Sequence, residues 1–313
     1  MKVTSQPVSV TLAIPTYNRL DAIIGNLSHI ISNDITSLCN VIIIDNNSSD
    51  GSFKKLSYLG EGIENLKILR NNKNIGGCAN IVRLFEECQT EYIIICSDED
   101  YIIKEHIEDL TIFLREFSPG FVSPQLYKPK LGLYRGKRAI KKIRPHEFQS
   151  AAGPVSGLVF NAKLCCKLIE INRQQLLDNR QQWPHVLLVA WLLIDNVSCF
   201  WWDRPLNKVI HSLEGGFDVK EDGVLSAWEH YKVTLNALEG YRPHNCFSSN
   251  VRKKKVVEAH RSKLVTWLAK GAGKVGLGRC FAKSAVRYIF GLLLKKVRNI
   301  ISPSLIANKF FLL

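Results

Sequence analysis

No Cys-x-x-Cys spacing occurs among the nine cysteines of this 313-residue chain, and nine is an odd number. That excludes the common zinc-ribbon and thioredoxin patterns and a fully paired disulfide framework. Several of the cysteines sit inside apolar, strand-like runs, so they read as reduced, buried thiols of a cytosolic protein. No stretch reaches the ~18–20 apolar residues that cross a bilayer. The longest candidate, near residues 284–294, is interrupted by Arg287. The N-terminal MKVTSQP lacks the apolar core of a secretory signal. Internal repeats and low-complexity segments are absent. Acid is nearly missing from one end of the chain. Residues 241–313 carry 16 Lys+Arg and one acid, Glu258, a net of +15, whereas residues 1–240 carry 26 Lys+Arg and 27 Asp+Glu, a net of −1. The protein is a near-neutral body with a strongly basic C-terminal region, which calls for an anionic partner or surface unless it is simply solvated.

What is present is a regular alternation. The composition, 46% hydrophobic and 22% charged, is enough for a sizeable core. Val8–Ile14 is a β-branched run ended by Pro15 and reads as a strand. Asp21–Ile31 has helical periodicity through Ile23, Ile24, Leu27, Ile30 and Ile31. Val41–Ile44 is continuously apolar, as a strand covered on both faces requires. Phe53–Leu59, Cys78–Cys88 and Lys104–Phe117 read as helices, and Leu66–Leu69 and Tyr92–Cys96 as strands. This rhythm predicts an α/β domain of parallel strands joined by helical crossovers. Farther on, residues 128–144 read as a basic loop or hairpin, Leu158–Phe160 as a strand, and 163–172 and Pro184–Leu193 as helices. Val197–Trp202 and Leu206–Ile210 read as two strands separated by Asp203-Arg204-Pro205. Residues 251–313 read as basic and helical. Within 276–302, Arg279, Lys283 and Arg287 recur every four residues on a face away from Leu277, Phe281, Tyr288 and Leu292.

In open parallel sheets, ligands bind beyond the carboxyl ends of the strands, and polar residues cluster there. Strand one ends in Pro15-Thr16-Tyr17-Asn18-Arg19, strand two in Asp45-Asn46-Asn47-Ser48-Ser49-Asp50. The loop after strand three holds Asn74-Ile75-Gly76-Gly77, and strand four ends in Ser97-Asp98-Glu99-Asp100. Three consecutive carboxylates after an apolar strand repel one another and call for a compensating cation. A hard divalent ion, Mn²⁺ or Mg²⁺, takes oxygen ligands and bridges phosphates. The competing reading is an acidic start to the next helix. Asp45 has a competitor too, as a side chain capping its own turn, and Tyr17 has one as a core residue.

VSVTLAIPTYNR, VIIIDNNSSDGS, NNKNIGG and YIIICSDED, in that order and spacing, resemble the nucleotide-binding half of a family 2 glycosyltransferase of GT-A fold over about residues 8–125. The resemblance implies a Rossmann-like, mainly parallel sheet flanked by helices, with a basic helical C-terminal region. It implies a nucleotide-sugar pocket lined by Pro15, Thr16, Tyr17 and Asn18. Asp45 would accept a hydrogen bond from a pyrimidine base. Asn74, Gly76 and Gly77 would sit by the ribose and diphosphate, the glycines allowing close approach. Asp98-Glu99-Asp100 matches the family's Asp-x-Asp element, with Asp100 the metal ligand and Asp98 and Glu99 dividing the remaining contacts to metal and donor. On this basis residues 1–125 form the donor half of the domain, 126–240 the acceptor half, and 241–313 a basic region suited to a membrane surface.

The acceptor half is similar, more loosely, to bacterial O-antigen sugar transferases, abequosyltransferase-like proteins among them, through Gly153–Phe160 and Gln182-Trp183-Pro184-His185. Many family members place an acidic base here, often in a Glu-Asp pair, and no such pair stands at Trp183–His185. His185 is the available titratable group, and an imidazole titrating near neutrality can deprotonate an acceptor hydroxyl; packing at a helix start is its competing role. Asp178, Asp195 and Asp203 are outside alternatives, and His211 is a possible further metal ligand. Of the clustered Trp183, Trp191, Trp201 and Trp202, only Trp183 is expected beside the acceptor; the others read as core. The expected activity is transfer of a sugar, with inversion, to a lipid-linked surface glycan at the cytoplasmic face of a membrane. Two other classes remain open. A sugar nucleotidyltransferase would carry a glycine-rich loop after strand one, which Pro15–Arg19 lacks. A nucleic-acid-binding protein would use the basic region but leaves the acidic run without a role.

Overall fold

The central strands β1 (Val10–Thr16) and β2 (Asn40–Asp45) are buried along almost their whole length, as their unbroken Val, Ile and Leu content requires. They belong to a computed structural model that describes residues 8–128, 133–135, 139–178, 183–210, 221–243 and 247–274. The alternation continues through α1 (Leu20–Ser32), α2 (Ser52–Leu59), β3 (Leu66–Arg70), α3 (Gly77–Glu87), β4 (Tyr92–Ile95), β5 (Asp100–Ile102), α4 (Glu105–Phe117) and β6 (Phe121–Lys128). Then come β7 (Leu133–Arg135), β8 (Lys141–Lys142), α5 (Phe148–Ala151), β9 (Leu158–Asn161), α6 (Ala162–Leu176), α7 (Pro184–Ile194), β10 (Cys199–Val209), α8 (Glu221–Gly240) and α9 (Phe247–Lys274). The sheet runs β3-β2-β1-β4-β9-β6-β10-β5, with β7 beside β6 and β8 beside β10. β1 to β4 are mutually parallel, and β9 enters antiparallel between β4 and β6.

The first half follows the predicted strands and helices within a residue or two. The second half departs in three places. β5 begins within the acidic run itself, at Asp100, where no strand was expected; it is recruited by antiparallel pairing with the end of β10. β6 was not read as a strand because Ser123, Pro124 and Gln125 interrupt its apolar pattern. The two strands expected on either side of Asp203-Arg204-Pro205 are one strand, β10, whose register against β6 shifts at Trp201/Pro205 and Pro205/Asn207. A proline supplies no ladder N–H, and a bulge absorbs it without ending the strand.

One face of the sheet packs Leu12, Ile14 and Ile94 against Ile23, Leu27 and Ile30 of α1 and Ile107, Leu110 and Phe113 of α4. On the other, Phe160 packs edge-on against Phe85, centroids 5.4 Å apart, and against Phe121. Trp191, Trp201 and Trp202 are buried, as expected of core residues. No disulfide joins the described cysteines, and Cys39, Cys96, Cys165 and Cys199 are buried. The chain divides into two compact units, residues 1–256 and 257–313. Within the first unit, part of the basic C-terminal charge is structural. Arg252 donates to the Ile194 carbonyl at the end of α7 (2.9 Å), and Lys253 donates to the Tyr241 carbonyl (2.8 Å). These cations meet the negative ends of helices. His211 and the stripe Arg279, Lys283, Arg287 lie outside the described residues.

α7 is buried on every side, and the second residue of the helix is His185, 1% exposed. Its Nε2 lies 3.1 Å from the Ala152 carbonyl, so this nitrogen carries the proton and donates, leaving Nδ1 without a partner. Burial lowers its pKa from 6.5 to about 4, and His230 on α8 adds to the lowering. His230 is itself lowered to about 4 by burial. The near-neutral base expected at position 185 is therefore corrected to a neutral, enclosed imidazole. Below its unfolded pKa the unfolded chain binds a proton at each histidine that the folded chain refuses, so stability falls as pH drops. At about pH 5 each should cost roughly 2 kcal/mol relative to pH 7.5. Urea unfolding should show this loss, and His185→Gln, whose amide replaces the Nε2 donor, should remove about half of it. A pH slope identical to the wild type's would refute the assignment.

Candidate active site

The carboxyl ends of β1, β2 and β4 lie side by side, because β1 pairs with both of the others, and side chains from neighbouring segments tie them together. Asn18 sits at φ 51°, in the left-handed region that asparagine tolerates. From there its backbone N–H donates to Ser48 Oγ (2.8 Å) and its side-chain oxygen accepts from the Ser49 N–H (2.8 Å). Leu20 N–H donates to Asp50 (2.9 Å), which joins the start of α1 to the loop after β2. Tyr17 is 43% exposed at the same mouth, so it is not a core residue.

Asp45 ends β2 fully buried. Oδ2 accepts the Ser48 N–H (3.0 Å) and faces Arg70 Nε at 3.3 Å. Oδ1 has no hydrogen-bond partner. One oxygen thus caps the turn, and the other is left unpartnered. Arg70 itself lies over the Phe53 ring, 5.2 Å from its centroid, and donates to the Ser48 carbonyl.

The loop after β3 is held by an asparagine network. Asn46 donates to Asn74 (2.8 Å), Asn71 donates to Asn46 (2.7 Å) and to Asn80 (2.9 Å), and Asn80 donates to the Ile44 carbonyl (3.2 Å). Asn46 also accepts from the Ile75 N–H, and Asn74 from the Gly76 N–H. Asn74 thus shapes the loop with its side chain. Gly76 has φ +85°, and a Cβ at Gly76 or Gly77 would meet no atom within 4 Å. These glycines border open space at the N-terminus of α3, where backbone N–H groups and the helix dipole favour an anion.

The acidic run is compensated unequally. Asp98 is 3% exposed. Its Oδ2 accepts from Thr16 Oγ1 (2.8 Å) and its Oδ1 from Arg19 (3.1 Å). Burial raises its pKa, and the Arg19 charge pulls the other way. Arg19 also pairs with Glu99. Asp100 is 7% exposed and lies beyond this clamp. Its carboxylate is hydrogen-bonded by the Ser156 hydroxyl and the Ile210 backbone N–H, while burial lifts its pKa to about 6. Its Oδ1 has no partner. Asn26 of α1 fixes the backbone beneath, donating to the carbonyls of Ser97, Asp98 and Asp100. Ser156 accepts the Ser97 N–H (2.9 Å). Gly157 follows at φ +84°, so close to Asn207 that a Cβ would lie 2.6 Å from its Oδ1.

Of the two residues expected to hold a metal, Asp98 has both oxygens engaged, and Asp100 keeps one oxygen without a partner. Among the described residues, no three His, Cys, Asp or Glu side chains gather into a closed cage. A one-carboxylate site still fits Mg²⁺ or Mn²⁺, which take their remaining ligands from substrate phosphates and water. Trp183, expected beside the acceptor, is half-buried and edge-on to His185, centroids 5.8 Å apart. Asp195 accepts from the Tyr241 hydroxyl (2.6 Å), a structural role, and Asp203 is exposed on β10. Asp178 follows α6, half-buried. Arg19 and Ser156 carry no local signal of a role in the sequence. Their partners lie about 80 and 60 residues away, a distance at which no local pattern pairs them.

Residues 11–168, half of the chain, match the family described as Glycosyl transferase family 2. No curated protein matches at a significant level. Among solved structures, S. aureus TarS (residues 1–349) superposes with a TM-score of 0.63 at 13% identity, covering 86% of this chain and 76% of that one. Its complex with UDP-GlcNAc gives 0.64 at 13% identity, covering 86% and 77%. The mannosyltransferase PcManGT from Pyrobaculum calidifontis, in complex with GDP-Man and Mn²⁺, gives 0.55 at 15% identity, covering 94% and 83%. These identities speak for the fold, and they lend no support to the narrower likeness to abequosyltransferases. With half its length matching the family and its sheet topology matching the fold, the chain belongs to glycosyl transferase family 2 and is a glycosyltransferase of GT-A architecture.

Proposed function

We propose that the enzyme takes a sugar from a nucleoside-diphosphate sugar, with one divalent cation, and transfers it with inversion to a hydroxyl of a lipid-linked surface glycan. The observation that carries the donor side is a pair of buried carboxylate oxygens without partners, Asp45 Oδ1 and Asp100 Oδ1, at two strand ends of the same cleft. A buried, unpartnered carboxylate oxygen is costly unless a ligand completes it. Asp45 Oδ1 suits a base N–H, and Asp100 Oδ1 suits a hard cation. Gly76 and Gly77 leave room between them for ribose and diphosphate. Thr16 and Asn18 hold the loops in place, and Tyr17 and Pro15 form the rim. The family's donors and the ligands of TarS and PcManGT support a nucleotide-sugar, and Mn²⁺ in the latter supports a divalent ion. When bound, the ion supplies Lewis acidity to the departing diphosphate.

The acceptor assignment rests on the basic region. No helix among the described residues is long and apolar enough to cross a membrane. A net charge of +15 over residues 241–313 favours an anionic leaflet, the surface that presents polyprenyl-linked acceptors at the cytoplasmic side. Nucleic acid is the lesser partner for this charge, because it gives the cleft nothing to do.

Three outcomes are expected. Asp100→Asn should lower turnover at least about 100-fold and abolish the cation dependence of nucleoside-diphosphate binding; binding that stays equally cation-dependent would remove Asp100 as the ligand. Asp45→Ala should weaken uridine diphosphate binding by about 1.5–3 kcal/mol, roughly 10- to 100-fold, in calorimetric titration. An unchanged affinity would show that the base lies elsewhere. The full-length protein should sediment with phosphatidylserine vesicles at low salt and dissociate as salt rises, and it should ignore phosphatidylcholine vesicles. Equal partition on both vesicle types would overturn the membrane reading.

A further inference from the structure

Arg19 is the unexplained charge of the cleft. It follows the left-handed Asn18, reaches across to the acidic run, and pairs with Asp98 and Glu99 while remaining 46% exposed. Thr16 closes the other oxygen of Asp98. Three adjacent carboxylates are thereby divided into two that already hold a cation and one, Asp100, that holds none. Asp100 is more than nine-tenths buried, its carboxylate is steadied by Ser156 and the Ile210 N–H, and its Oδ1 has no partner.

The affinity of a carboxylate site for a divalent ion is set largely by how many charged ligands it offers and how rigid they are. Three free carboxylates would hold Mn²⁺ or Mg²⁺ in the bare protein. One carboxylate beside a guanidinium would not, because the fixed positive charge also repels the ion. A nucleoside diphosphate changes this balance, since its phosphate oxygens supply the missing negative ligands and give Arg19 a second anion to face.

We infer that Arg19 is a built-in counter-ion that keeps the acidic run from binding a divalent cation until the nucleoside diphosphate arrives, so that cation and nucleotide load together. Arg19 is a positioning residue in this scheme: it acts on the ion through Asp98 and Glu99. The inference rests on Asp100 as the cation ligand. It requires strong positive coupling between the two ligands, and by linkage each tightens the other by the same factor.

The test is Mn²⁺ binding by electron paramagnetic resonance and calorimetry, on the full chain, with and without uridine diphosphate. The wild-type protein should bind Mn²⁺ weakly alone and at least about tenfold more tightly with the nucleotide present. Arg19→Gln, which releases Asp98 and Glu99, should bind Mn²⁺ without nucleotide at least about tenfold more tightly than wild type, with the coupling correspondingly reduced. Arg19→Lys, which keeps the charge, should stay weak. Arg19→Met repeats the first variant with the alkyl stem retained, in case the glutamine protein folds poorly by circular dichroism. Unchanged or weaker nucleotide-free binding in both neutral variants would overturn the role of Arg19. Asp100→Asn separates this from failure of the underlying reading. If it leaves the Mn²⁺–nucleotide complex intact, Asp100 is not the ligand and both ideas fall. If it destroys that complex while the Arg19 variants behave as wild type, only the counter-ion is refuted.

Discussion

Three carboxylates in sequence at the mouth of an apolar sheet cannot all remain charged without compensation, and the rest of the cleft is arranged around how they are compensated. Asp98 and Asp100 are both pushed toward the protonated form by burial, with the neighbouring acids adding to it. Thr16 and Arg19 from the end of β1 offset this for Asp98, and Ser156 and Ile210 do so for Asp100. Asn26 ties the carbonyls of the same turn to α1. Each of these contacts brings together segments separated by about 60 residues or more, and those from Ser156 and Ile210 add to the β4–β9 pairing in joining the two halves of the sheet. The strand order demands it as well: β5 starts at Asp100 and pairs with the last residues of β10.

The donor half was legible because local chemistry and tertiary need coincide there. Val41–Ile44 had to be a buried strand, and it became β2. The turn residues 46–51 had to follow it. Asp45, Gly76 and Asp100 were singled out because they follow strands of a parallel sheet, and those strands are neighbours in the fold. What the sequence did not disclose was the pairing within the site. Nothing in Asn46, Asn71, Asn74 and Asn80 separately indicates that they form one hydrogen-bonded network, since asparagine is equally at home in any turn. Which of Asp98 and Asp100 keeps an unpartnered oxygen depends in part on where one arginine side chain goes, and local pattern carries no information about that.

The second half was less legible for a different reason. Its strands break the usual patterns: β6 contains Ser123-Pro124-Gln125, and β10 runs through Asp203-Arg204-Pro205. Polar and proline residues there read as loop when taken alone. Strand pairing overrides them, because β10 is held on one side by β6 and at its end by β5, and a bulge accommodates the proline. The price of that irregularity is visible in Asn207, fully buried with neither side-chain atom partnered, and in the glycine required opposite it at 157.

The same burial acts with opposite sign on the two sides of the cleft. It raises the Asp100 carboxyl toward neutrality and lowers the His185 imidazole away from it, because a low-dielectric surrounding opposes whichever form is charged. Asp100 can recover its charge when a cation supplies the compensation its surroundings omit. His185 has no such route: its Nε2 is committed to the Ala152 carbonyl, and the titratable neighbour that acts on it, His230, lowers its pKa further. A general base must be unprotonated at the working pH, and it gains strength as its pKa approaches neutrality. An imidazole held near 4 is no stronger a base than an ordinary carboxylate, and the His185 ring is enclosed at 1% exposure, both of which argue against it in this arrangement. Asp195 is engaged by Tyr241 at the far end of α7, and Asp203 lies within the β10 bulge, away from the strand end that meets Asp100.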